Sequence, residues 1–482
     1  MKLSVLHISD LHRDPKNPIR NSVLLDSLEN DQRHYCEEES PKVRPPDIVI
    51  VSGDIIHGID PDVAEPEKEL HQQYQEALAF LTQLTDRFVG GDRDRVVIVP
   101  GNHDVSSYHF QKSLQKIVIA PGRKKDLLTQ LFSPNSLLRW SWSDFELYEI
   151  VDQDTYNQRL SAFAEFYAAF YKGARKYDID PSKQYDIFDF PNFNLTIAGF
   201  SSCFNNDLCN RQGAIHPECI ADVGTKLRHP DYNGRLRVAV WHHNAEGSPT
   251  QSDYMDPDLI QNLIDRGFSL GFHGHQHKPQ FLDTRFRYGV ERGITVISAG
   301  TLCGWAAVRF GRSYNVVELE TQNTTGYLHV REMQNPDFSL PIWGRRSLPP
   351  NTSAFYKFHF DQPPPPIVRS DLSTTSLVEA RRLYEAGEFQ KSAEILVRIA
   401  ASDSLARPLL LDCYLKLHDM ASIITRFYPP LSNVEAIHVM DALWAEGKYD
   451  RLKEVLKLPL IEKSDDPSVI DIRKKYATRV DK

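Results

Sequence analysis

Nine short apolar runs, mostly β-branched, punctuate the first two thirds of the chain: residues 3–8 (LSVLHI), 47–51 (DIVIV), 95–99 (RVVIV), 194–198 (NLTIA), 236–240 (LRVAV), 268–272 (FSLGF), 294–298 (ITVIS), 314–319 (YNVVEL) and 326–331 (GYLHVR). Their composition, and the Gly, Asp, Asn or His at which many of them stop, predict strands. Apolar positions between several of them recur at helical spacing, as in 67–88, EKELHQQYQEALAFLTQLTDRF. Strands alternating with helices imply a layered α/β fold.

Two regions depart from that rhythm. Within 105–193, the stretch NQRLSAFAEFYAAFYKGARKY sets Leu160, Phe163, Phe166, Tyr167, Phe170 and Tyr171 at helical spacing, which predicts a mostly helical insertion with its own aromatic core. Its basic cluster, Arg123-Lys124-Lys125, fits a solvated face. Residues 336–376 are expected to form a linker, in which four successive prolines favour a stiff polyproline spacer and the Ser/Thr tract after them favours disorder. From 377 to 482 the pattern is all-helical. YEAGEFQKSAEIL at 384 is echoed at 415 and 444, which aligns Gly387, His418 and Gly447. Offsets of 31 and 29 residues resemble tetratricopeptide-type helical hairpins, whose usual period is about 34.

Composition narrows the class. At 482 residues the chain has room for roughly two to four domains. A net charge of −9 argues against a broadly basic nucleic-acid coat, though not against a locally positive groove. No apolar run approaches the ~18 residues of a membrane span, and MKLSVLHISDLH lacks the features of a secretory leader, so no membrane role and a cytoplasmic location are expected. The six cysteines form no CxxC pair, so Cys203, Cys209 and Cys219, the one loose group, are expected to be reduced thiols.

The chemistry gathers just past the predicted strands. Asp10 and His12 follow the first, Asp54 the second, and Asn102, His103 and Asp104 the third. His242-His243 follow RVAVW, and GFHGHQH carries His273, His275 and His277. Carboxylates and imidazoles suit divalent or trivalent Mn, Fe, Zn, Ni or Co. In D-x-H and H-x-H, alternate residues project to one side of an extended segment. An aspartate can bridge two ions, and ions about 3.5–4 Å apart can clamp a phosphate during in-line displacement.

This ordered series (DLH, GD, GNHD, H, GHxH) resembles the calcineurin-like metallophosphoesterases, over roughly residues 1–335. The resemblance implies an α/β layered β-sandwich core flanked by helices, to which the chain adds the insertion and an all-α repeat domain. It also implies two metal ions, manganese first among the candidates. Asp10, His12 and His277 would hold one ion, Asn102, His242 and His275 the other, and Asp54 would bridge. His103 would contact the phosphate or protonate the leaving group, oriented by Asp104. His242 takes the ligand role because it comes first after its strand, with the reverse assignment to His243 open; His243 and Arg13 are candidate substrate contacts. His273 lies outside the family pattern and is expected at the strand end, in the core or behind the ligands.

The implied activity is a dinuclear phosphodiesterase that uses a bridging hydroxide on a nucleotide-type substrate. The long insertion and appended repeats tilt this toward a nuclease, with a cyclic-nucleotide phosphodiesterase or a phosphomonoesterase as alternatives. A reading from another class makes the chain an interaction protein, its repeats recruiting a protein partner or a second copy.

Overall fold

The structure is a computed structural model that describes residues 2–60, 62–120, 122–133, 136–247, 253–288, 290–307, 309–348, 353–362, 371–400 and 405–480. The chain divides into two compact units, Met1–Pro366 and Ile367–Lys482.

The strands of the first unit are β1 Lys2–Ile8, β2 Ile48–Ser52, β3 Val96–Val99, β4 Leu114–Ile117, β5 Leu138–Ser141, β6 Glu146–Ile150, β7 Tyr185–Phe190 and β8 Leu195–Phe200. They continue with β9 Leu236–Val240, β10 Leu270–His273, β11 Gln280–Tyr288, β12 Val290–Ser298, β13 Ser313–Glu320, β14 Thr325–Asn335, β15 Ile342–Arg345 and β16 Tyr356–His359. One sheet runs β15-β14-β13-β1-β2-β3, with β16 also on β14; a second runs β11-β12-β10-β9-β8-β7. Their inner faces share one core, in which Val5, Val49 and Val97 meet Ile197, Val238 and Phe272. Helix Pro66–Val89 lays Leu70, Tyr74, Ala77, Leu81 and Leu84 against it, a 3–4 spacing that makes one apolar stripe.

All nine predicted strands form. The central ones of both sheets run parallel: β1 with β2, β2 with β3, β8 with β9, β9 with β10 and β10 with β12. Their C-terminal ends are where ligands gather in such sheets.

Three expectations need correction. The region 105–193 is not mostly helical: β4, β5 and β6 make a small antiparallel sheet, and β7 joins the second main sheet. The aromatics of helix Ser161–Phe170 belong to the main core, not to a separate one, because Phe163, Phe166, Tyr167 and Phe170 pack with the sandwich residues. Nor is 336–376 all linker. Strands β15 and β16 pair with β14, which buries Trp343 and Phe358, and Phe360 is buried just beyond. Much of the expected disordered Ser/Thr tract lies in helix Asp371–Glu385, while the proline run 363–366 lies outside the described residues.

The second unit consists of helix pairs 371–385/389–399, 406–416/420–427 and 433–445/449–455, followed by 459–462 and 467–480. Its core includes Leu396, Leu410, Ile423, Val439, Leu443 and Leu452. No helix among the described residues is long and apolar enough to cross a membrane.

Candidate metal centre

Each ligand candidate occupies the loop just past a parallel strand, and the backbone there is unusual. Asp10, His12, Asp54, His275 and His277 all have left-handed φ, between +43° and +77°. Such a conformation is uncommon for residues with a Cβ and is tolerated best by Asp, Asn and His. Gly53 turns with φ +92°, and a Cβ there would sit 2.5 Å from the His242 ring. The strand-end glycine therefore lets an imidazole pass directly over the backbone.

The side chains converge as three overlapping groups: Asp10, His12 and His277; His12, Asp54 and His103; Asp54, His242 and His275. Asp54 Oδ2 lies 3.2 Å from His242 Nε2, 3.9 Å from His12 Nε2 and 4.0 Å from His103 Nε2. Asp10 Oδ1 lies 3.2 Å from His277 Nε2. Asn102 Oδ1 lies 2.8 Å from His275 Nδ1 and 3.1 Å from His242 Nε2.

Backbone carbonyls set the imidazole tautomers. His242 Nδ1 donates to Ser52 O at 2.7 Å, His277 Nδ1 to Trp305 O at 2.6 Å and His103 Nδ1 to His57 O at 2.6 Å. Each ring then turns Nε2 inward, the usual support for a metal-binding histidine. The inward ring nitrogens face one another: His12 Nε2 is 3.2 Å from His277 Nε2, and His275 Nδ1 is 3.3 Å from His242 Nε2. Buried Asp10 Oδ1 makes no well-aligned hydrogen bond, although His277 Nε2 lies 3.2 Å away. Converging carboxylate oxygens, an amide oxygen and imidazole nitrogens are a donor set that two cations would satisfy, so the residues fit a dinuclear centre.

Charge follows the same geometry. Burial opposes ionisation of Asp10, but His277 and the neighbouring imidazoles hold its carboxyl at about 2. Asp54 is likewise held well below the usual range, against its burial, by His242, His103 and His12. The two carboxylates outweigh burial at His242 and His277 and raise both imidazoles to about 9. Burial keeps His12 neutral, lowering it to about 4.

The candidates thus come together with three exceptions. Asp104 does not orient His103. Its carboxylate is buried and takes Gly101 N–H at 2.8 Å, Ile55 N–H at 3.2 Å and Tyr74 O–H at 3.0 Å, tying the loops after β2 and β3 together. The His57 carbonyl orients His103 instead. Arg13 is 2% exposed and turned from the centre, donating to Ile19 O, pairing with Glu76 and lying 4.9 Å over Phe80. His243 is fully buried, with Nδ1 2.8 Å from Ser202 Oγ and Nε2 3.1 Å from Asn206 Nδ2. Of the histidine pair, His242 is therefore the one that faces Asp54 and Asn102. His273 ends β10, buried and stacked on Trp241.

Sequence reasoning missed Asp253, whose Oδ2 lies 3.7 Å from His275 Nε2, and His57, whose ring lies 6.0 Å from that of His103. Neither stands at a predicted strand end, and only the folded loops bring them in.

The family model for calcineurin-like phosphoesterases matches residues 3–279, more than half of the chain. The chain belongs to that family and is a metal-dependent phosphoesterase. No curated protein matches the sequence. Among solved structures, a dimetal phosphatase from Danio rerio aligns over 68% of this chain and 95% of its own, at 12% identity and a TM-score of 0.37. Vps29 from Entamoeba histolytica, as a single mutant, aligns over 71% and 98%, at 11% identity and a TM-score of 0.24.

Proposed function

We propose that the chain is a dinuclear, manganese-dependent phosphodiesterase of the cytoplasm acting on a nucleotide-type substrate, with nucleic acid first among the candidates. The observation that carries this reading is the kind of positive charge at the centre. The strongest favourable charges on Asp10 and Asp54 are imidazoles, and the nearest arginine in sequence, Arg13, is spent on Glu76. Carboxylates held chiefly by imidazoles, with Arg13 turned to Glu76, suit the single charge of a diester better than the double charge of a monoester.

When bound, the ions supply Lewis acidity and an activated water. Asp10, His12 and His277 would hold one ion, Asn102, His242 and His275 the other, with Asp54 between them. His103 has a half-exposed side chain and turns Nε2 toward the open side of Asp54. From there it can protonate the leaving oxygen of an ester with a poor leaving group. Asp104 keeps the His103 loop in register, and His57 O fixes its tautomer.

The helical unit is proposed to bind a protein partner or a second copy, because stacked hairpins present extended surfaces. A chain ending at Pro366 should keep its turnover of a small diester and lose that association.

A panel with Mn²⁺ tests the reading: bis-p-nitrophenyl phosphate, p-nitrophenyl phosphate, single- and double-stranded DNA, RNA and cyclic AMP. The diesters should exceed the monoester in kcat/KM by roughly tenfold or more, a ratio that corresponds to about 1.4 kcal/mol. A preference for the monoester would overturn it.

A further inference from the structure

The segment after β12 is fastened to the metal centre at every residue from 301 to 305, Cys303 through its N–H to Asp10 O at 3.4 Å. Thr301 Oγ1 donates to Asp10 O at 2.9 Å, and Leu302 N–H to Ser9 O at 3.0 Å. Gly304 N–H donates to Thr301 Oγ1 at 2.7 Å, while Gly304 O accepts from Arg312 Nε at 3.0 Å. A Cβ at Gly304 would meet the His12 ring at 2.4 Å, so the backbone lies directly on a candidate ligand. Trp305 O takes the Nδ1 proton of His277 at 2.6 Å.

On this tethered backbone stands an indole that is 82% exposed. Among the described residues no ring or cation packs on it. A large apolar side chain left in water is common at a mobile surface, but here its main chain is held by the same bonds that hold the metal centre. Two residues further along, Ala307 lines a polar trough of about 570 Å³ together with His275, Gln276, Lys278, Gln280 and the acids Glu246 and Asp253. Gln276, Lys278 and Gln280 offer hydrogen-bond donors of the kind a sugar–phosphate chain accepts.

We propose that Trp305 is the base-stacking platform of the substrate site: its indole takes an aromatic base while the attached phosphate lies on the metal centre and the chain continues along the trough. Stacking suits this place because every base offers a π-face, so it recognises nucleotides without selecting a sequence. The proposal rests on the nucleotide reading above and narrows it to substrates that carry a base next to the scissile phosphate.

The test compares two ligands that share a phosphate and a ribose and differ in the base. AMP and ribose 5-phosphate are titrated calorimetrically into the Mn²⁺-loaded full chain. AMP should bind roughly tenfold or more tightly, within the range that base–aromatic stacking supplies. Trp305→Ala should bring the ratio near one, and Trp305→Phe should keep most of it. Metal content is measured for each variant; Trp305→Leu, which keeps bulk but has no π-face, replaces Trp305→Ala should that protein lose metal. Equal binding of the two ligands by the unaltered chain, or a ratio unchanged in Trp305→Leu, would overturn the proposal. Diester turnover, measured separately, reports on the parent reading: a chain that hydrolyses diesters but ignores the base loses only the stacking platform, and one that selects the base but hydrolyses no diester loses only the parent reading.

Discussion

The two units of the chain treat buried polarity in opposite ways. In the helical unit, Ser392 and Glu435 are the only polar side chains buried among the described residues, and both are satisfied. Ser392 Oγ donates to Ala380 O at 2.7 Å, and Glu435 pairs with Arg407 at 2.6 Å. In the catalytic unit, Asp10, Asp54, His242 and His243 are buried within one small volume, and Asp10 Oδ1 and His12 Nδ1 make no well-aligned hydrogen bond. The sandwich around them buries its apolar side chains as fully as the helical core does, so incomplete burial does not explain the difference. Groups that fit badly as hydrogen-bonding partners fit well as ligands, and a rigid core holds them in place. Within the centre, the unmet polar atoms belong to ligand candidates, as Asp10 Oδ1 and His12 Nδ1 do.

The largest expected effect removes the group on which both halves of the centre lean. Asp54→Ala should abolish turnover and leave the protein short of metal, whereas His12→Ala should weaken one ion only. The Asp54 loss should exceed the roughly 10–100-fold that follows removal of a residue that merely orients a ligand. Metal content per chain, measured with the rate, checks this. Two tightly held ions in Asp54→Ala would show that the carboxylate does not bridge. EDTA should silence the unaltered enzyme, and Mn²⁺ should restore it.

Next comes the group that lies beside the ligands. His103→Ala should cut the rate by roughly 10²–10⁴ while both ions stay bound. The loss should be smaller on a nitrophenyl ester than on an alkyl ester, since the better leaving group needs no proton. Equal losses on both would leave His103 with phosphate positioning alone.

A third prediction uses the protons that occupy the metal-free centre. With His242 and His277 raised to about 9, both are protonated at pH 7, and an entering ion must displace them. Affinity should therefore rise with pH toward 9, by up to about tenfold per unit for each proton displaced. Stability of the metal-free protein should move the other way. The contribution of these raised imidazoles is complete below their ordinary 6.5 and fades as pH climbs through about 9. Calorimetry in two buffers of different ionisation enthalpy counts the protons, and a count of zero at pH 7 would refute the charge assignment.

Much of this was legible from sequence because two independent periodicities report on it. Buried parallel strands are continuous apolar runs, so β1, β2, β3, β9 and β10 stand out, and the polar residues after them must cluster where their ends do. What escaped was short or lay on a sheet edge. Strands β4 to β6 are four or five residues long, and β15 and β16 carry Arg345, Lys357 and His359 on an outer strand. Residue type located the ligands but not their direction. Arg13 and Asp104 sit within the motifs yet point away, because a partner elsewhere in the fold, Glu76 or Tyr74, claims each. The partners that hold the site from behind, Ser52, His57 and Trp305, act through backbone carbonyls, which no side-chain pattern records.

The smallest effect is expected in the helical unit, at the one place where it breaks a local rule. Its three helix pairs turn at equivalent positions, Gly387, His418 and Gly447, with φ of +77°, +54° and +66°. Each turn is closed by the same bond across the helix end: Glu388 N–H to Leu383 O at 2.8 Å, Asp419 N–H to Tyr414 O at 2.9 Å and Lys448 N–H to Leu443 O at 2.9 Å. This left-handed closure favours glycine, and the middle pair has histidine. His418 is exposed and binds nothing that a glycine would forfeit, so His418→Gly should stabilise the unit by about 1 kcal/mol and raise its melting temperature by a few degrees. His277 has the same φ of +54°, and His277→Gly would relieve the same strain. There the metal should be lost instead, since the strained residue is a ligand candidate. Thermal scans of both variants, with and without Mn²⁺, separate the cases. If His418→Gly proves destabilising, the turn is held by something other than its backbone preference. If His277→Gly keeps its Mn²⁺-dependent stabilisation, strain at the catalytic strand ends does not mark the ligands.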